Sequence, residues 1–378
     1  MSTPPAELAR DAATARGALL GVLVGCALFT VMGAAYRDFK PDEVGLGRNT
    51  IIGKAAPIDG VTPSGHLPAL TTLSDAARKW RADGYKIALW IGNSQLHGLN
   101  RPEQGGALAV EYAQKAADAR GAKLRYLQVS SPAIAYQDVL SAYLAFRAKG
   151  TLPDTVLIQV TYANFRDMAT RHELNLELFQ SFDWPALVAI GGPGVARFQA
   201  DVEALVQGQQ VEEDLTPQQA LERFLIAQIE SVWQAYADRG LVDAGLRTRY
   251  ETLQASLAGA HFQRGALTIS AANDATSQAA LDSLIRLAKH DGVDLTLYQA
   301  PHRQDLEQFY YNRAGYDAKY AMLAERAAAG EFRFVSFEKL VPGPAWGFTN
   351  EGRPDCFHFD RHGHELLGAA IDAYVAGL

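Results

Sequence analysis

The stretch YKIALWIG, Tyr85–Gly92, runs directly into Asn93, Ser94 and Gln95, and its reading decides the fold. Apart from Lys86 the run is apolar, rich in branched and aromatic residues, and too short for a helix. It reads as a strand buried on both faces, the kind found in parallel sheets covered by helices. The flanking sequence alternates accordingly: helix over Leu67–Asp83, helix over Gly106–Arg120, strand over Lys123–Val129, helix over Tyr136–Lys149, and a second near-continuous apolar strand, TVLIQVTY, over Thr155–Tyr162. This rhythm predicts an α/β fold of three layers, a mostly parallel sheet with helices on both sides.

After Asn164 the rhythm stops for about a hundred residues, and an inserted helical subdomain is expected over about 165–265. Within it Thr216 and Pro217 read as an N-cap and first helical residue, followed by Leu221, Phe224, Leu225, Ile229, Val232 and Trp233 at helical spacing. The alternation resumes with a helix over Thr276–His290, strand Val293–Pro301, a helix near Gln304–Ala329, strand Glu331–Phe337 and a terminal helix from about Arg361. Residues 67–378 are thus expected to form one domain interrupted by the insertion.

The 378 residues are 48% hydrophobic and 20% charged, with 33 Gly and 16 Pro, which excludes a disordered, collagen-like or low-complexity chain. Net charge is −7 and the 35 Lys and Arg are scattered, so no footprint for a phosphate backbone exists and no nucleic-acid partner is expected. Cys26 and Cys356 stand alone, so a disulfide framework is excluded.

Residues 1–16 read as a short tail, and 17–36, GALLGVLVGCALFTVMGAAY, as an uncharged segment long enough to span a bilayer as one helix. Gly33 and Ala35 also fit a signal-peptide cleavage site before Tyr36, but the apolar run is longer than a secretory segment needs. Residues 37–66 read as a Gly-, Pro- and charge-rich stalk. Arg10 and Arg16 precede the helix while Arg37, Lys40, Arg48 and Lys54 follow it, so charge does not orient it. Its signal-like position places the expected protein in the cytoplasmic membrane as a single-pass anchor, with the large domain outside the cytoplasm, in the periplasm.

Ser94 falls just past the C-terminal end of a central strand, where open α/β sheets place their sites. Asp355 and His358 precede the last helix with three-residue spacing, which in a helical turn puts both on one face. There the carboxylate would orient the imidazole while its other nitrogen takes a serine proton. Asn164, after the strand ending at Tyr162, is a candidate side-chain donor to an oxyanion beside the Ser94 N–H. Gln95, His97 and Arg166 are candidate substrate contacts. His358, Asp360, His362 and His364 crowd together, but a relay using His358 with His362 and His364 solvated on an exposed turn fits better than a metal site; neither metal nor cofactor is expected. Cys356 reads as space-filling.

Taken together, Gly92-Asn93-Ser94-Gln95, Thr161-Tyr162-Ala163-Asn164 and Asp355-Cys356-Phe357-His358 resemble the nucleophile, G-x-N and D-x-x-H blocks of the SGNH (GDSL-like) hydrolase superfamily. Phe359-Asp360-Arg361-His362-Gly363 is similar to the continuation that follows the last block. The resemblance covers roughly residues 67–165 and 266–378 and implies a Ser94–His358–Asp355 triad. It further implies an oxyanion hole from Ser94, Asn164 and a second-block N–H. That second block, Ser130-Ser131-Pro132-Ala133, lacks the family glycine, leaving Ser131 or Ala133 as donor.

The N-terminal anchor, the G-x-S-x nucleophile block and the long insertion look most like the membrane-anchored branch, with the DltD-type and alginate O-acetylation proteins. For that branch the resemblance implies a membrane-bound O-acyltransferase partner, an acyl donor and a polysaccharide acceptor. The expectation is an anchored extracytoplasmic serine O-acyltransferase or esterase acting through an acyl-serine. The rivals are a non-catalytic polymer-binding or scaffold partner of a membrane acyltransferase, and a secreted lipase or esterase. A distance beyond about 5 Å between Ser94 Oγ and the His358 ring would disfavour catalysis by this pair.

Overall fold

The computed structural model describes residues 5–36, 50–102, 105–166, 174–180, 182–213, 217–239, 242, 246, 268–306, 311–348 and 354–378. Its strands are β1 (Thr50–Ile52), β2 (Ser64–Gly65), β3 (Lys86–Gly92), β4 (Gly98–Asn100), β5 (Leu124–Ser130), β6 (Thr155–Val160), β7 (Asp294–Gln299), β8 (Arg333–Ser336), β9 (Trp346–Phe348) and β10 (Pro354–Phe359). Its helices are α1 (Pro5–Tyr36), α2 (Leu70–Ala82), α3 (Ser94–His97), α4 (Ala109–Ala119), α5 (Tyr136–Ala148), α6 (Trp184–Gly191), α7 (Pro193–Glu213), α8 (Pro217–Val232), α9 (Gln234–Ala237), α10 (Ala271–Asp291), α11 (Arg313–Ala328) and α12 (Arg361–Ala376).

The main sheet runs β2-β5-β3-β6-β7-β8, every pairing parallel, with β3 between β5 and β6. Successive side chains of β3 go to opposite faces, as a pleated strand requires. Ile87, Leu89 and Ile91 join one core with α2, α5 and α10, while Ala88 and Trp90 join another with α4 and α12. Both faces are therefore dry, which explains the unbroken apolar run, and each buried Ile or Leu contributes about 1.5–3 kcal/mol. The result is the expected three-layer α/β arrangement. Strand order reverses at β3: β5 lies to one side, and β6, β7 and β8 follow on the other, so the carboxyl ends of β3 and β6 flank the switch point where such sheets bind ligands.

A second sheet, β1-β4-β10-β9, was not anticipated. Here β1 is antiparallel to β4, β4 parallel to β10, and β10 antiparallel to β9. Asn100 staples it, its amide donating to Thr50 Oγ1 (2.7 Å) and Phe348 O (3.1 Å) while its oxygen accepts from Phe348 N–H (3.1 Å).

Several expected boundaries are corrected. The stalk over 37–66 does not extend through its second half: Thr50–Ile52 and Ser64–Gly65 are strands of the two sheets, and residues 37–49 lie outside the described residues. The helix expected from Gln304 begins at Arg313, where Asn312 Oδ1 caps it by accepting from Gly315 N–H at 2.9 Å. The chain divides into two compact units, Met1–Gly45 with Val211–Gln263, and Leu46–Gln210 with Arg264–Leu378. The insertion expected as one subdomain is thereby split. Leu176, Phe179, Leu187, Val195, Phe198 and Val202 belong to the core of the sheet unit, because they carry enough apolar surface to pack beside α5 and α10.

The smaller unit contains α1, α8 and α9. Gly17–Ala35 of α1 is long and apolar enough to be a membrane span or a signal sequence. The proposed N-cap Thr216 lies outside the described residues.

Candidate active site

The turn that carries Ser94 is held by the sheet itself. Gly92 sits where a Cβ would stand 2.6 Å from Gln159 Oε1 and 2.5 Å from Leu96 Cδ1, so a side chain there would collide with the turn that follows. Gln159, set in the otherwise apolar run Val156–Val160 of β6, accepts from Asn93 N–H at 2.9 Å and donates to Gln95 Oε1 at 2.6 Å. Asn93 Oδ1 accepts from Gln95 N–H at 2.9 Å and caps the single turn of α3. Ser94 opens that turn at the mouth of the sheet.

Asp355 and His358 both lie on β10, which corrects the expectation of a helical turn. Pro354 is paired with Phe348 but Phe359 with Trp346, so β10 carries extra residues relative to β9 and bulges between those points. In a regular strand, residues three apart point to opposite faces. The bulge turns them together: Asp355 Oδ1 accepts from Phe357 N–H (2.7 Å) and His358 N–H (3.2 Å), and Asp355 Oδ2 lies 2.9 Å from His358 Nδ1. The other ring nitrogen, Nε2, lies 3.1 Å from Ser94 Oγ. A carboxylate at Nδ1 holds the proton there, which leaves Nε2 unprotonated to accept from the serine hydroxyl. Asp355 and His358 are both buried, so a charge on either is poorly screened.

Two residues that sequence reasoning missed position the pair. Gly98 leaves room for the imidazole: a Cβ there would fall 2.6 Å from His358 Cδ2 and 2.7 Å from Ser94 O. Arg303, its side chain almost wholly buried, donates from Nη1 to Asp355 O at 3.1 Å and Gly347 O at 3.0 Å, while its Nε donates to Asp305 Oδ1 at 2.7 Å. Asp305 is held below the usual carboxylate range by that bond. Gln159 was visible in the sequence as a polar residue inside TVLIQVTY; Arg303 and Gly98 carried no comparable signal.

The expected oxyanion donors fare differently. Ser94 N–H is the first of its helical turn, where no backbone acceptor precedes it. Ser131 is not a donor to this site, because its N–H goes to Gly92 O at 3.1 Å. Nor does the structure bring Asn164 to the nucleophile. Its amide nitrogen donates to Ile134 O at 2.8 Å, its oxygen accepts from Thr161 N–H (2.5 Å) and Thr161 Oγ1 (2.7 Å), and the side chain is fully buried. Ala133 adopts φ +52°, a left-handed conformation that glycine takes without strain and alanine does not.

Ser94 opens onto a cleft of about 30 Å³ whose lining includes Asn93, Gln95, Thr161, His302, Tyr316 and Cys356. Asn93 Nδ2 has only a long contact, 3.5 Å, to Thr161 Oγ1. Of the candidate substrate contacts, Gln95 lines this cleft with its amide donating to Pro301 O at 3.2 Å. Arg166 instead bonds Ala163 O (3.0 Å) and Ala133 O (3.3 Å), bracing loops. His97 lines a separate cleft of about 400 Å³ with His66, Gln128 and Ser130, and its Nδ1 lies 3.0 Å from Ser130 Oγ. Burial, with His66, His358 and His364 nearby, pulls His97 down to about 3, so it is neutral.

His362 is exposed as expected, but His364 is not: it is fully buried, which corrects the reading of a solvated pair. Its Nδ1 accepts from Ala109 N–H at 3.2 Å and its Nε2 donates to Gly98 O at 3.1 Å, and burial lowers its pKa to about 4. Burial and the neighbouring Asp355 push the Cys356 thiol up to about 12, so it has no thiolate character at neutral pH.

The chain matches no protein-family model and no curated protein. Solved structures to which it is similar include a lipase/acylhydrolase from Enterococcus faecalis, 12% identical over 77% of this chain and 96% of that one, with a TM-score of 0.33. A GDSL-like lipase from Bacteroides thetaiotaomicron is 11% identical, covering 82% and 98%, with a TM-score of 0.34. An acetylxylan esterase from Geobacillus stearothermophilus is 14% identical, covering 76% and 92%, with a TM-score of 0.36.

Proposed function

We propose that this chain is a serine esterase or O-acyltransferase of the SGNH kind, anchored by α1 in the cytoplasmic membrane, whose sheet unit works outside the cytoplasm on acyl esters of a cell-envelope saccharide. The observation that carries the reading is the continuous relay from Ser94 Oγ through His358 to Asp355, at 3.1 Å and 2.9 Å. A non-catalytic scaffold would have no need to keep three buried or half-buried polar groups in that alignment.

In this reading Ser94 Oγ attacks the ester carbonyl while its proton passes to His358 Nε2. Asp355 stabilises the imidazolium that forms. The oxyanion is held by Ser94 N–H and by Asn93 Nδ2, which takes the role first expected of Asn164. His358 then gives its proton to the departing alkoxide, leaving an acyl-Ser94. A water or a saccharide hydroxyl attacks that ester, its proton going to His358 and then back to Ser94.

The test uses the full chain in detergent and a fluorophosphonate probe, comparing wild type with Ser94→Ala and His358→Ala. Labelling of wild type that is lost in both variants is expected. Folded wild type that stays unlabelled would sink the reading. Product analysis with a saccharide acceptor present separates transfer from hydrolysis.

A further inference from the structure

We infer that α8, with Trp233 and Tyr236 behind it, is a second membrane contact, lying in the bilayer interface beside α1. The inference rests on the anchoring role proposed for α1 and adds a surface which that role does not need. Along α8, Leu221, Phe224, Leu225, Ile229 and Val232 recur at spacings of three and four and fall on one face of the helix. All five are exposed, from 41% for Ile229 to 84% for Val232, which is unusual for an apolar stripe in a globular unit. Glu230 lies on the opposite face, paired with Arg239 at 2.5 Å.

What covers the stripe follows from where the helix is tied. Immediately after α8, Trp233 Nε1 donates to Thr30 Oγ1 at 2.8 Å, and its ring meets Phe29 edge-on at 5.6 Å. A Cβ at Gly33 would fall 2.4 Å from Ala235 Cβ, so α9 packs against the bare backbone of α1. These contacts lie in the last turns of the apolar segment Gly17–Ala35. Thr30 is five residues short of Ala35, about 7–8 Å along the axis at the helical rise. An interfacial amphipathic helix sits at about that depth, roughly 5–10 Å into the headgroup–acyl boundary. Trp233 and Tyr236, stacked at 5.8 Å, are the residue types that populate that boundary. The apolar face of α1 is itself exposed, with Leu20 and Val22 more than half accessible, so lipid is the one solvent that would satisfy both surfaces.

The experiment uses the full chain carrying Cys26→Ser and Cys356→Ser, with one new cysteine at a time labelled with an environment-sensitive fluorophore. The positions are Leu23→Cys in α1, Leu225→Cys on the apolar face of α8, and Ala227→Cys on its far side. The purified protein is placed in phosphatidylcholine–phosphatidylglycerol vesicles with or without lipids brominated high on their acyl chains. Quenching of about twofold or more is expected at Leu23→Cys and Leu225→Cys, with little at Ala227→Cys. Quenching at Leu23→Cys but not at Leu225→Cys overturns the inference, leaving α1 as the sole contact and the stripe for a protein partner. Equal quenching on both faces of α8 also overturns it, since the helix would then be immersed rather than interfacial. No quenching at Leu23→Cys removes the anchor, and the inference falls with it.

Discussion

The two arms of the relay are built on different principles. The nucleophile arm ends β3, which is paired along its length with β5 and β6 on either side, so Ser94 inherits the rigidity of the sheet. The acid–base arm sits on β10, a bulged strand of the smaller sheet with only short pairings to β4 and β9. Its geometry depends on local polar bonds: Asp355 to the N–H groups of Phe357 and His358, Arg303 to Asp355 O, and the space left by Gly98. A regular ladder positions a residue by repetition, whereas a bulge positions it by individual contacts, and individual contacts can be removed one at a time.

The largest effect that would break the comparison is expected from Asp355→Asn. The new amide keeps an oxygen for the two N–H groups but turns an N–H toward His358 Nδ1, forcing the proton onto Nε2, which then has nothing to accept Ser94's proton with. A fall in kcat of about 10³–10⁴ is expected with an unchanged melting curve, the size found when the carboxylate of a serine–histidine–aspartate triad is replaced by its amide. Retention of a tenth of the activity would mean that the carboxylate does not set the tautomer.

His364, on α12, bonds Gly98 O beside the His358 ring and Ala109 N–H at the start of α4, and its burial makes that junction acid-sensitive. Its pKa is lowered from 6.5 to about 4 in the folded chain. The unfolded chain therefore binds more protons between those values, so stability is complete above about pH 6.5 and is lost as pH falls toward 4. The loss attributable to this residue is on the order of 3 kcal/mol. His97, lowered to about 3, adds in the same direction. Thermal melts of wild type and His364→Gln from pH 7 to pH 4 should converge as pH falls; parallel curves would show that His364 does not titrate on unfolding.

Gly98→Ala tests the point where the two arms meet, because its new Cβ would crowd both the His358 ring and Ser94 O. The methyl group would displace the imidazole by about an ångström, which costs roughly 10²-fold in kcat/KM. Activity within threefold of wild type would mean that His358 has room to adjust. The smallest effect is expected at Ala133→Gly, which relieves a left-handed alanine and should raise stability by about 1 kcal/mol. A lower melting temperature would show that the loop gains more from alanine's restricted unfolded state than it loses to strain.

The sheet core was legible because its cause is local: a strand dried on both faces must be apolar throughout, as Tyr85–Gly92 and Thr155–Tyr162 are. Ser94 was legible from the same run, since its place follows from where the strand ends. The pairing of Asp355 with His358 was also visible, but not its setting. Three-residue spacing suggests a helical turn, and only pairing with β9 and β4 makes it a bulged strand. Strands as short as Thr50–Ile52 and Ser64–Gly65 left no pattern, because two or three residues acquire extended structure from a partner, not from their own preference. Asn164 and Ser131 were misassigned for a related reason. A hydrogen-bond donor is catalytic only if nothing nearer accepts from it, and Ile134 O and Gly92 O are brought up by the fold.

By itself, then, the sequence determined the layered α/β plan, the apolar N-terminal helix and the place of Ser94 just past β3, all properties of periodicity and local spacing. Tertiary structure alone decided that Asp355 and His358 share a side of β10, that Gly98 and Arg303 hold them, that the insertion divides between two units, and that the apolar stripe of α8 stays exposed. Each of these depends on contacts between residues far apart in the chain, and such contacts leave no period in the sequence.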